Sequence, residues 1–129
     1  GNGMRPDVWA KFQSRFGVGT IGEFYASTAG NANPITNQNQ TGAIGFISPR
    51  IAKTSPVKIV KFDVESEAVI RDDRGRCIEV APGEAGELIG YINNEDVTRR
   101  FDGYTDKAAT EKKILRDVIA KKLRNCITT

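Results

Sequence analysis

The alternation of apolar and polar positions divides the chain into a helical start, a strand-rich middle and a helical end. Trp9, Phe12 and Phe16 recur at helical spacing within residues 6–16. That period predicts a first helix, opened by Pro6, carrying Asp7 in its first turn and stopped by Gly17. The aromatic stripe is expected to be core. Residues 20–25 read as a strand that follows at once, making a helix–strand step. Residues 30–42, rich in Asn, Gln and Gly and holding Pro34, predict a surface loop. A short apolar piece, 43–47, separates that loop from breaks at Ser48-Pro49 and Thr54-Ser55-Pro56.

From there the pattern turns to strands. Residues 57–62 are rich in branched side chains, with Lys58 and Lys61 marking partial exposure. Residues 67–71 and 76–80 flank Asp72-Asp73-Arg74-Gly75, which predicts a hairpin. Ala81-Pro82-Gly83 turns the chain again, and 87–92 is the next strand. Beyond a short turn at 93–101, broken by Asp102-Gly103, either Thr105 or Asp106 can cap a longer helix. Ile114, Leu115, Val118, Ile119 and Leu123 would form its apolar stripe.

With 129 residues, 39% hydrophobic and 27% charged, the chain fits one modest globular domain. No apolar run approaches the roughly 18 to 20 residues that a membrane helix needs, and no signal-peptide pattern is present. The segment is therefore expected to be soluble. It opens with Gly1-Asn2-Gly3 ahead of Met4, as expected of a piece cut from a longer chain.

The net charge of +3 is too small to argue for nucleic acid. Basic residues nevertheless gather at the end, where Lys107, Lys112, Lys113, Arg116, Lys121, Lys122 and Arg124 outnumber Asp106, Glu111 and Asp117. Such a tail is a solvated helix face or, alternatively, a patch for anionic lipid or RNA. Cys77 and Cys126 show no metal-ligand spacing and read as free thiols. Histidine is absent, which removes His-dependent triads.

Candidate chemistry concentrates in Phe24-Tyr25-Ala26-Ser27-Thr28-Ala29-Gly30-Asn31. A strand runs into small and hydroxylated residues, so Tyr25 offers a ring face while Ser27 and Thr28 offer donors for phosphate or carboxylate oxygens. On composition alone the residues favour the blander reading, a plain strand-to-loop turn.

Four segments in order carry a resemblance: Gly1-Asn2-Gly3-Met4-Arg5-Pro6-Asp7-Val8-Trp9, Glu23-Phe24-Tyr25-Ala26-Ser27-Thr28, Pro82-Gly83-Glu84-Ala85-Gly86-Glu87-Leu88 and Arg99-Arg100-Phe101-Asp102-Gly103-Tyr104. Together they resemble the fatty acid transport proteins, or very-long-chain acyl-CoA synthetases, of the adenylate-forming superfamily, and animal members in particular. The likeness runs over residues 1–119. It implies an α/β fold class: a fragment of the large N-terminal domain of an adenylate-forming enzyme, with a helix–strand step, a small antiparallel β-sheet or barrel piece and a C-terminal helix. Residues 1–129 would be a partial AMP-binding domain. Within it lie an α/β step at 1–42, a β-rich subdomain at 43–92 and a helical end at 93–129, whose tail departs from the family from about residue 120.

The resemblance also implies an activity. Long-chain-fatty-acid–CoA ligases join a fatty acid to ATP, giving acyl-AMP and pyrophosphate, and CoA then displaces AMP. Gly1, Asn2 and Gly3 would form the glycine-rich turn against adenine and the acyl group. Tyr25 would stack on adenine, beside Ala26 and Ser27, and Thr28 would hold the α-phosphate. The acidic Mg2+ ligand that the family carries next is here Ala29, although Glu23 is a carboxylate nearby in sequence. No catalytic residue is expected in this chain. The phosphate loop, the ribose-binding acid, the hinge, the catalytic lysine and the membrane-associating segments of the family have no counterpart in it. The isolated chain is thus expected to be inactive and not to bind ATP, Mg2+ or CoA tightly. Long-chain fatty acid, ATP and CoA are the partners of the parent, with no nucleic acid. The parent would sit at the endoplasmic reticulum, plasma membrane or peroxisome with its active domain facing the cytosol. Two other readings stay open: a decayed or mis-spliced product without chemistry, and a basic-helix module for anionic lipid.

Overall fold

The computed structural model describes residues 3–27, 30–119 and 123–128, and they divide into two compact units. One comprises Gly1–Ala26 with Asn33–Ser55; the other comprises Ser27–Ala32 with Pro56–Thr129.

The first unit opens with helix α1, Pro6–Phe16, at the bounds its sequence predicts. Pro6 occupies its first turn, and Gly17 ends it in the left-handed conformation at φ 63°, returning its amide to Gln13. The aromatic stripe is core only in part. Trp9 is buried, whereas Phe16 is 62% exposed and leans on Phe12 with ring centroids 4.9 Å apart. Strand β1 is shorter than its apolar lead-in suggested, spanning only Glu23–Phe24. It pairs antiparallel with β2, Ile35–Thr36, placing Glu23 opposite Thr36 and Phe24 opposite Ile35. The Asn/Gln-rich segment expected as loop therefore contains a strand. Ile35 and Thr36 are its two adjacent β-branched residues, and Thr36 is buried against the pair.

The second unit is built around an antiparallel sheet. Its strands are β3 (Val57–Val60), β4 (Phe62–Asp63), β5 (Ala68–Val69), β6 (Glu87–Tyr91), β7 (Ile114–Ile119) and β8 (Leu123–Thr128). Four of them form one sheet in the order β3-β6-β8-β7, while β4 and β5 make a small ribbon. The sheet then closes on itself through residues 77–80. Val80 donates to the Ile59 carbonyl (3.1 Å) and Lys61 to that of Ile78 (2.8 Å), and on the far side Cys77 donates to that of Val118 (3.0 Å). The result is a small barrel with five staves. Its centre is Val60, Cys77, Ile89, Val118 and Cys126, one residue from each stave. The predicted turn at 72–75 is present: Gly75 donates to the Asp72 carbonyl, and Asp72 Oδ1 accepts from the amides of Arg74 and Arg76. Its flanks pair at Arg71 and Cys77, and Ile78 donates to the Ile70 carbonyl (3.2 Å), while 77–80 also bonds into the barrel.

The expected long C-terminal helix is not formed. Helix α2 covers only Lys107–Lys113, capped by Asp106, whose side chain accepts from the Ala108 amide. Ile114 already has extended dihedrals, and the residues read as a helical stripe become β7 and β8. Apolar runs of this length fit either period, and here the barrel decides. Leu115 and Val118 gain a core as strand residues, and β8 supplies the stave between β6 and β7. Asp117, at φ 53°, lies where the β7–β8 register shifts between Arg116 and Ile119. Without a long helix, a basic helical face for anionic lipid has no structural basis beyond α2. Lys121 and Lys122 lie outside the described residues.

Among the described residues no helix is long and apolar enough to cross a membrane.

Candidate nucleotide-facing site

In the first unit, two stretches that the sequence singled out are joined. The Met4 amide donates to Glu23 Oε1, which fastens the turn after Gly3 to the start of β1. Glu23 is buried, and its second oxygen, Oε2, has no partner among the described residues. A methyl group added at Gly3 would come no nearer than 3.5 Å to its neighbours, Glu23 Oε1 and the Ile44 side chain, which is ordinary contact. The neighbouring protein atoms do not by themselves require glycine there.

Two residues beyond Glu23, Tyr25 leaves β1 with its amide on the Pro34 carbonyl (3.0 Å) and its side chain partly open to solvent, 38% exposed. Phe24 and Ile35, paired across β1 and β2, are both exposed. Ala26 is exposed in the same unit. Ser27 belongs to the second unit, where its carbonyl accepts from the Gly30 amide (3.2 Å), closing a tight turn. Gly1, Asn2, Thr28 and Ala29 lie outside the described residues.

That turn in the second unit is anchored by a residue whose role the sequence did not disclose. Asn31 is buried, and its Nδ2 donates to the carbonyls of Tyr91 (2.7 Å) and Arg99 (3.0 Å). The Arg99 carbonyl also accepts from the Asn93 amide (3.1 Å), so it closes the 93–99 turn as well. Within a stretch rich in Asn and Gln, nothing marks Asn31 as different from its neighbours; only the fold does.

Among the described residues no three His, Cys, Asp or Glu side chains gather into a group that would hold a metal ion. Glu23, the carboxylate nearest the expected Mg2+ position in sequence, spends one oxygen on the Met4 amide inside the protein. The free thiols Cys77 and Cys126 are buried in the barrel. Burial, with a smaller contribution from Cys77, pushes the Cys126 thiol up to about 12, and burial also raises that of Cys77. Burial thus disfavours the thiolate, the reactive form, at both positions.

Long-chain fatty acid transport protein 1 of Mus musculus is 43% identical over 121 residues, 94% of this chain and 19% of that protein. Long-chain fatty acid transport protein 2 of Rattus norvegicus is likewise 43% identical over 121 residues, with the same shares. The family resemblance read from the four segments thus holds over nearly the whole chain. A medium/long-chain-fatty-acid–CoA ligase of Mycobacterium tuberculosis is 40% identical over 119 residues, 91% of the chain and 18% of the ligase. The chain thus spans about a fifth of the length of the fatty acid transport proteins it matches. No family profile matches it, and no solved structure does.

Proposed function

We propose that this chain is a segment of the adenylating domain of a long-chain-fatty-acid–CoA ligase that couples fatty acid uptake to activation. In that reading the ligase forms acyl-AMP from ATP and a long-chain fatty acid, then acyl-CoA. Residues 1–3 and 25–28 form part of the wall facing the nucleotide. The observation that carries the reading is the Met4–Glu23 hydrogen bond. It holds two stretches that resemble nucleotide-contacting motifs side by side, in a chain 43% identical to a fatty acid transport protein. Tyr25 supports it too, because a partly exposed aromatic ring at the end of a short strand is suited to stacking on a purine.

In this assignment Gly1, Asn2 and Gly3 leave room for adenine and the acyl group, Tyr25 stacks on the base, and the hydroxyls of Ser27 and Thr28 hold the α-phosphate. The glycine at position 3, which its protein neighbours do not demand, is consistent with space kept for a ligand. Membrane association and CoA binding would rest with other parts of the parent protein. This chain by itself makes no acyl-CoA, since it supplies neither a phosphate loop nor an acid at position 29.

The test is a titration of the 129-residue chain with AMP, read by amide and aromatic resonances. Shifts confined to residues 3–4 and 23–28, including the Tyr25 ring, are expected. A folded chain whose resonances at those positions ignore AMP would overturn the assignment. Ala29 favours a second reading, a product without chemistry, because a Mg2+ site ordinarily draws on one or two protein carboxylates. Ala29→Glu in the full-length parent separates the two. Restored acyl-AMP formation supports the ligase, and an inert variant supports the decayed copy.

A further inference from the structure

We propose that Asn31 is a positioning residue. Its carboxamide, seated over Gly90, latches the turn that carries Ser27 onto the end of β6 and the 93–99 turn, and so sets where the Ser27 hydroxyl stands. The inference rests on the nucleotide-wall reading above for its functional meaning, but its geometry lies wholly inside the second unit.

Three observations carry it. Both N–H bonds of the Asn31 amide are used, one on the Tyr91 carbonyl at 2.7 Å and one on that of Arg99 at 3.0 Å. Those acceptors lie 60 and 68 residues away in sequence, so one side chain fixes a local turn to two remote backbone points. Second, the close approach depends on Gly90. A Cβ there would fall on Asn31 Oδ1 and 2.9 Å from the Ala32 amide nitrogen, so no other residue type admits the amide at this depth. Third, Oδ1 is buried without a hydrogen-bond partner among the described residues. A buried acceptor left unpaired is costly, so the two donated bonds are what hold the side chain in this seat.

The chemistry explains why asparagine serves here. Both acceptors are carbonyls, so the side chain must present two donors and no negative charge. Aspartate has the same shape but would aim a carboxylate at two carbonyl oxygens. The Gly30 amide returns to the Ser27 carbonyl at 3.2 Å, so the latch at Asn31 is passed directly to Ser27 through the turn it closes.

The test uses the 129-residue chain and three variants, Asn31→Asp, Asn31→Ala and Gly90→Ala, followed by amide exchange and resonance position. Exchange at Gly30, whose amide is held on the Ser27 carbonyl, should quicken at least tenfold in all three, while the Val60–Glu87 end of the β3–β6 pairing, away from Gly90, stays protected. In Asn31→Asp, acidification protonates the carboxyl, which can then donate one hydrogen bond. The Gly30 and Ala32 resonances should therefore move part of the way back toward wild type, a recovery that Asn31→Ala cannot show. With AMP added, the perturbation at Ser27 should weaken severalfold in the variants while that at Tyr25 persists. Unchanged exchange at Gly30, or an equal loss at the Val60–Glu87 end of the β3–β6 pairing, would overturn the latch. Should AMP perturb no residue of the wild-type chain, the nucleotide reading fails, whereas the exchange result still decides the latch on its own terms.

Discussion

The Met4 amide and the Glu23 carboxylate, nineteen residues apart in sequence, meet in a hydrogen bond at the start of β1. The carboxylate is almost wholly removed from water, so this contact does more than decorate a surface turn. Glu23→Ala would leave the Met4 amide without its acceptor and open a gap beside Thr36. A loss of about 1–3 kcal/mol is expected from the first unit, as for other buried hydrogen bonds to charged groups. Trp9, buried in the same unit, reports it directly through fluorescence in a urea titration. Glu23→Gln keeps an acceptor for Met4 and should lose distinctly less. Equal losses in the two variants would mean that the charge, not the hydrogen bond, is what matters.

The barrel makes a sharper contrast between two isoleucines on neighbouring strands. Ile89 on β6 is 1% exposed and points into the barrel centre, while Ile59 on β3 is 43% exposed. Ile89→Ala should cost about 2–5 kcal/mol, from lost burial plus the cavity left behind. Ile59→Ala should cost about 1 kcal/mol or less, because surface substitutions away from special features change little. Denaturant midpoints for the two variants check this. Similar losses would show that the barrel does not close as described.

Gly86 sits immediately before β6, where the chain crosses β3 closely. A Cβ there would land on the Val60 carbonyl oxygen and lie 2.6 Å from Val80 Cγ1. Backbone cannot rotate away as a flexible side chain can, so Gly86→Ala must push β3 and β6 apart. The expected cost is about 1–3 kcal/mol. Gly75→Ala supplies a comparison of a different kind, since nothing lies near its Cβ and only its positive φ of 74° resists. The signature of overpacking is loss of the Val60 and Glu87 pairing in amide exchange, which Gly75→Ala should leave intact.

The buried thiols give the protein an alkaline limit. Cys126 titrates near 9.0 when exposed, and burial in the barrel raises it to about 12, with Cys77 adding to the effect. A raised folded-state value favours the protonated thiol in the native chain. Its contribution to stability is therefore whole below pH 9.0 and is lost progressively as pH climbs toward 12. Unfolding free energy should fall across that window, and less steeply in Cys126→Ala. A thiol reagent at neutral pH should modify neither cysteine until the chain is unfolded; rapid labelling of the native protein would contradict the buried arrangement.

Much of the fold was legible because the deciding signals were local. Pro6 and Gly17 bracket α1, the Asp72 to Gly75 turn forms where its residue types demand it, and β3 and β6 lie where branched residues cluster. The family was legible for a different reason, since four short segments in the right order identify it jointly. What failed was the choice of period at the C-terminal end. Residues 114–123 satisfy a helical stripe on paper, and no cap or breaker contradicts it. The β form of 114–119 depends on Cys77, which bonds the Val118 carbonyl, and on β8, itself held by the remote strand β6. Asn31 was illegible in the same way, for its two acceptors are remote carbonyls and its seat is the missing side chain of Gly90.

The sequence alone determined the family, the first helix, the tight turns and the stretch from Phe24 to Asn31 as the place to look for chemistry. Each of these rests on residue type and near-neighbour spacing, which the linear chain carries complete. Tertiary structure decided the rest. It turned the final apolar run into two staves of a closed barrel, because a strand there buries Val118 and Cys126 in a shared core. It bound Met4 to Glu23 and Asn31 to Tyr91 and Arg99, because hydrogen-bonding groups taken out of water must find partners wherever the fold brings them.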